Sequence, residues 1–258
     1  GEPVLEMDEM AQSQKDTALA AVVSLVLSAL IFIYGYRETG RPVKATLCLI
    51  IGLGYTLGFA TLAVGHLNIL TITFLPILIG LAIDYGVHLI SRYEEELRHG
   101  KSEEAALTKA MVFTGQGILT GGLTTAGGFL AMGLTHFKGI QEMGIICGGG
   151  LVICLIPMMT MLPVLLLRGR QNVIDHEKGD LAERRARIEG LWLRRPLWTA
   201  GVTLALCGAA ATQIHKVYFD YNLLNLQSDG LPAVEYERDL IASATKSVLF
   251  GAVIATNF

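Results

Sequence analysis

The chain has 258 residues, a formal net charge of −3 and a mean hydropathy of +0.50, with 52% apolar residues and 29 glycines. That composition places it among integral membrane proteins rather than soluble globular domains. No zinc-ligand spacing, nucleotide loop or nucleophile elbow occurs, and acids alternate with the basic residues, so metal binding, catalysis and nucleic-acid binding are not indicated.

Hydropathy resolves into six spans near the roughly 20 residues that a helix needs to cross hydrocarbon: residues 17–36, 45–64, 72–90, 114–134, 145–167 and 197–214. An acidic segment, residues 1–16, precedes the first span and reads as the end of an outer domain. Lys and Arg gather in alternate connections: Arg37, Arg41 and Lys44, then Arg92, Arg98, Lys101 and Lys109, then a basic linker at 168–196. The other connections are nearly bare, with only Lys138 between the fourth and fifth spans. By the positive-inside rule the basic connections face the cytoplasm. Residues 1–16 and 215–258 then lie outside, which is the periplasm of a two-membrane bacterium.

In the second span, Gly54 and Gly58 are four residues apart and predict a smooth groove for close helix packing. The third span, ITFLPILIGLAIDYGVHLI, contains one formally charged residue, Asp84. A charge at such a depth costs about 2.5–3.5 kcal/mol even on lenient insertion scales, so an ionisable residue there is a functional candidate. Gly80 and His88 lie one turn to either side on the same helical face, and Tyr85 is turned by about 100°. Gly80 leaves room for a partner helix. The Tyr85 phenol can donate to the carboxylate or relay through water, whereas His88 reads first as an interfacial anchor and second as relay support. Pro76, in the same span, predicts a local bend.

The fourth span, TGQGILTGGLTTAGGFLAMGL, pairs Gly117 with Gly121 and adds Thr120, Thr124 and Thr125 as hydroxyls that can face a neighbour's polar group. The fifth carries a packing pair, Gly144 and Gly148, at its start and two further bend-forming prolines, Pro157 and Pro163. All four cysteines, Cys48, Cys147, Cys154 and Cys207, fall inside spans and read as small buried residues rather than a disulfide frame. Beyond the sixth span, residues 232–245 suggest an amphipathic helix and 248–255 a strand, the opening of a further outer domain. Both ends therefore read as those of an internal piece of a longer, transporter-sized protein.

The stretch GLAIDYGVHLISRYEEELRHGKSEEAALTKAM, followed by GILTGGLTTAGGFLAM, resembles the fourth and fifth transmembrane segments of the RND (resistance-nodulation-cell division) superfamily. The adjacent Asp84 and Tyr85 resemble the mycobacterial membrane protein large (MMPL) type and its hopanoid-transporter relatives rather than the paired aspartates of multidrug pumps. The resemblance implies an all-α polytopic membrane core: segments two to six at 17–167, a cytoplasmic linker at 168–196, segment seven at 197–214, and the start of an α+β periplasmic domain at 215–258. It implies that Asp84 and Tyr85 belong to a proton relay, with Thr124, Thr125 and His88 in support, and that residues around Glu103 and Glu104 form a cytoplasmic surface helix. It further implies proton-driven export of lipid, in the hopanoid branch, from the bacterial inner membrane, with protons as coupling ion and no cofactor. The partners implied are the lipid cargo, the membrane and the rest of the transporter; a homodimer is left open. Two other readings share this core, a protein-export accessory of the SecD/SecF type and a sterol-sensing-like lipid-binding regulator. The former typically carries Asn two residues after the Asp, where this chain has Gly86.

Overall fold

The computed structural model describes residues 2–168 and 195–217, with positions 232, 234–236 and 239. The described residues are helical and contain no strand. The linker predicted at 168–196 and the helix and strand predicted at 232–245 and 248–255 lie almost wholly outside them. Where described, positions 232, 234–236 and 239 are helical.

Helix α1 runs from Glu2 to Tyr36, α2 from Gly40 to Ala63, α3 from Phe74 to Arg98 after a 3-10 turn at Thr71–Thr73, and α4 from Glu103 to Lys109. One π-helical turn, Ala110–Thr114, joins α4 to α5 (Gly115–Met132), and α6 runs from Lys138 to Leu166. Helix α7, Pro196–Ala211, belongs to a separate compact unit.

Among the described residues, five helical segments are long and apolar enough to cross a membrane: Met7–Tyr36, Gly40–Ala63, Thr71–Arg98, Lys138–Leu166 and Leu197–Lys216. The fourth predicted span corresponds to α5, which is not among them. It has only 18 residues and carries Gln116 and three threonines. Helices α1, α2, α3 and α6 each overrun one end of the span read from hydropathy, whereas α7 stops three residues short of 214. Helix α1, at 35 residues, is about 52 Å long at 1.5 Å per residue, against about 30 Å of hydrocarbon. Hydropathy registers only the apolar middle of such a rod. Pro76 falls in the first turn of α3, where its missing N–H removes no helix hydrogen bond, whereas Pro157 and Pro163 lie inside α6.

Helix α6 is the hub, packing against α2, α5 and α3, with 56% of its apolar window buried. Thr56 of α2 is fully buried there; its hydroxyl donates to Gly52 O at 2.9 Å and lies 3.8 Å from Cys154 Sγ on α6. Helix α1 is sparsely covered, with 6% of its apolar stretch buried and many of its apolar side chains exposed. It is fastened to α3 by Tyr36, whose ring meets Phe32 edge-on at 4.9 Å and whose hydroxyl donates to Val87 O at 2.9 Å and meets Ser91 Oγ.

Polar clasps close both ends of the bundle. At the basic end, Arg41, 5% exposed at the start of α2, bonds Glu94 Oε1 on α3 at 2.9 Å and Glu38 Oε2 at 3.0 Å, and stacks over the Tyr93 ring at 5.7 Å. Arg98 reaches the other oxygen of Glu94 at 3.1 Å, and Arg92 and Lys101 both hold Glu96. At the opposite end, Asn68 accepts from the backbone N–H groups of Leu70 and Thr71 and donates to Glu142 Oε2 on α6 at 2.7 Å. Helix α4 is capped by Ser102, whose hydroxyl accepts from Ala105 N, and buries Ala106 and Leu107.

Removing one partner of a buried ion pair leaves an uncompensated charge, which costs about 3–5 kcal/mol. Because Arg98 still serves Glu94, R41A is expected to fall at the lower end of that range. Thermal unfolding in detergent, compared with half-buried R92A, checks it: Lys101 still holds Glu96 in that variant, so R92A should cost less than R41A.

Candidate functional site

Asp84 sits mid-way along α3 and is exposed, on the rim of a cleft of about 410 Å³ between α3 and α5. From α3 the cleft is lined by Leu81, Asp84, Tyr85 and His88. From α5 and the π turn it is lined by Thr114, Gly117, Ile118, Gly121, Gly122 and Thr125, and Leu151 of α6 closes its floor. The helical phase explains the arrangement. Asp84 and His88 are four residues apart and share the outward face, while Tyr85, one residue on, turns inward and is 7% exposed. A single cleft therefore has an acidic rim and a phenolic inner wall.

Among the described residues the Asp84 carboxylate makes no hydrogen bond or ion pair, and the Tyr85 hydroxyl is buried without a hydrogen-bond partner. An unsatisfied buried hydroxyl costs about 1–3 kcal/mol; Tyr93, on the same helix, carries another, and what sets Tyr85 apart is its place on the cleft wall. The threonines behave differently. Thr120, Thr124 and Thr125 each donate to the carbonyl one turn back, Gln116 O, Thr120 O and Gly121 O, at 2.8, 2.7 and 2.9 Å. Their protons are thereby committed to their own helix, and Thr125 offers the cleft only oxygen lone pairs. Thr124 is exposed and stands outside the cleft lining.

The glycines divide by environment. A Cβ built on Gly144 would lie 2.5 Å from Phe129 O, and one on Gly148 would lie 2.9 Å from Ala126 O and 2.7 Å from Leu130 Cγ, so α6 lies directly against the α5 backbone at this pair. Gly54, Gly58, Gly80, Gly117 and Gly121 have no heavy atom of the described chain within 4 Å of such a Cβ. Gly80, Gly117 and Gly121 leave the surface beside Asp84 smooth and open. Sequence reasoning missed Thr114, Ile118, Gly122 and Leu151. The paired glycines of the fourth span carried a signal for Gly122, but four-residue spacing alone does not say which glycine meets α3.

Residues 1–200 match the MMPL family, which is well over half of the chain. The chain belongs to the MMPL family. Among relatives of this MMPL chain, the hopanoid transporter HpnN of Rhodopseudomonas palustris is 28% identical over 243 residues, covering 92% of this chain and 27% of the relative. The sulfolipid-1 exporter MmpL8 of Mycobacterium tuberculosis is 30% identical over 222 residues, 80% of this chain and 20% of the relative. MJ1562 of Methanocaldococcus jannaschii, named as a membrane protein, is 30% identical over 178 residues, 67% of this chain and 45% of the relative. The MMPL chain thus spans less than half the length of the curated relatives it matches. Its described residues form an all-α membrane protein core, and the family's named relatives include lipid transporters.

The contact at Gly144 involves backbone on one side, which cannot swing away, so G144A forces α5 and α6 apart. Intrinsic helix propensity favours Ala by about 1 kcal/mol. Overpacking costs about 1–3 kcal/mol, and thermal unfolding of G144A should show a net loss despite that gain.

Proposed function

We propose that this chain is the membrane core of a proton-driven lipid exporter of the bacterial inner membrane, in which Asp84 takes up and releases the coupling proton. The observation that carries the reading is the cleft: the charged residue of an otherwise apolar span borders it together with a buried phenol that lacks a hydrogen-bond partner. Protonation discharges the carboxylate and removes the cost of holding it in hydrocarbon; deprotonation restores that cost and favours an arrangement that lets water or a polar partner reach it. Alternation between the two supplies the differential free energy that a conformational cycle needs. Tyr85, whose hydroxyl can donate to and accept from water, extends the relay inward, and His88 and Thr125 supply further polar atoms on its path. In the full-length protein the open side of the cleft faces a second helical half, with its own Asp–Tyr pair, and periplasmic domains carry the lipid away.

The names of HpnN and MmpL8 support lipid as cargo, and the 92% coverage of this chain by HpnN favours a hopanoid. A protein-export accessory is disfavoured at Gly86, because a Cβ built there would lie 2.9 Å from Ala45 Cβ on α2. An Asn has no room at that position.

In the full-length protein, D84N keeps the shape and removes titration. It is expected to abolish lipid export while expression and membrane insertion persist; undiminished export would overturn the relay. Y85F removes one hydrogen bond to a charged or water-linked network, worth about 1.5 kcal/mol, so export should fall roughly tenfold rather than vanish. An outer-membrane lipid inventory with and without the gene identifies the cargo: specific hopanoid depletion is the expected result.

A further inference from the structure

We infer that Gly122 is a positioning residue for the Tyr85 phenol: its missing side chain forms a notch in α5 that seats the hydroxyl at the inner wall of the Asp84 cleft. The inference deepens the relay reading above and rests on it. A Cβ built on Gly122 would lie 2.9 Å from Tyr85 Oη, 3.1 Å from Cζ and 3.2 Å from Leu155 Cδ1. A carbon–oxygen approach under 3.0 Å forces one atom to move. A leucine methyl can yield by a rotamer change, whereas the tip of a phenol moves only if the whole ring swings about its first two side-chain torsions. Tyr85 is buried and borders the cleft together with Ile118 and Leu151, so a displaced ring swings into the cleft and carries its hydroxyl out of the notch.

A second observation points the same way. The Tyr85 hydroxyl is shielded and finds no hydrogen-bond partner among the described residues, so no bond from them holds the phenol in place. Its position is set by shape, by the notch on one side and its own helix on the other. Gly117 and Gly121 line the same cleft without any neighbour within 4 Å, so the notch is specific to one glycine of the fourth span. An added methyl at position 122 would turn the hydroxyl away from the place it shares with the carboxylate.

The test is a double-substitution cycle in the full-length protein, with G122A, Y85F and both together, read by thermal unfolding in detergent. Alanine is the better helix former, so it should stabilise an uncrowded site. With Tyr85 present, G122A is expected to lower the melting temperature by several degrees; in the Y85F background, where the oxygen is gone and only the ring carbon and Leu155 remain close, the loss is expected to shrink by at least half. A loss of the same size in both backgrounds, or a gain in both, overturns the notch. Export measured against external pH supplies the second readout. G122A should cut export about tenfold and displace its pH profile in the direction that Y85F does, the size expected when one hydrogen bond is misplaced. An unaltered pH profile in a destabilised G122A protein overturns the positioning role. Failure of the relay itself looks different, because D84N would then still export while the melting cycle continued to report the notch.

Discussion

Close backbone approach is the constraint on which this bundle depends. Lipid tails are as apolar as leucine, so no hydrophobic force drives helices together inside a membrane, and association rests on van der Waals contact and polar bonds. Helix α6 meets that requirement by laying Gly144 and Gly148 directly on the α5 backbone and by accepting Thr56 of α2 into its flank. The position of α5 follows from that contact. Because α5 forms one wall of the Asp84 cleft, the geometry of a site on α3 is determined in part by two glycines on a third helix.

Polar side chains complete what packing begins, and they do so at the ends. Arg41 with Glu94 at one end and Asn68 with Glu142 at the other tie helices whose middles are apolar. The chain thereby gathers these charges at the ends of the bundle, paired with one another, and leaves one carboxylate in the middle. The contrast isolates Asp84. Glu94 and Glu96 are buried and held by cations, while Asp84 is exposed on a cleft and has none among the described residues.

Much of this was legible in the sequence, for reasons that can be named. A carboxylate in an apolar run is visible without a structure because its cost is a one-dimensional property of the span. The 3.6-residue period then places His88 beside Asp84 and Tyr85 inward. Helix lengths were less legible, since α1 and α6 continue past the hydrocarbon with polar residues that hydropathy cannot separate from loop. The π turn before α5 changes the phase at which Thr114 and Gly117 arrive at the cleft, and no local sequence rule marks it. Gly122 and the pairing of Arg41 with Glu94 depend on contacts between residues 37 and 53 positions apart, which span periodicity does not encode.

The Tyr36 hydroxyl that ties the end of α1 to α3 has a mechanical consequence. Val87 O, the acceptor of the Tyr36 hydrogen bond, belongs to the helical turn that follows Asp84. Helix α1 continues unbroken from that joint for about 52 Å. It is thus a lever with its short end beside the turn that carries Asp84 and its long end about 50 Å away. A tilt of a few degrees at the joint displaces the far end by several ångströms, and the sparsely covered shaft offers little resistance to it.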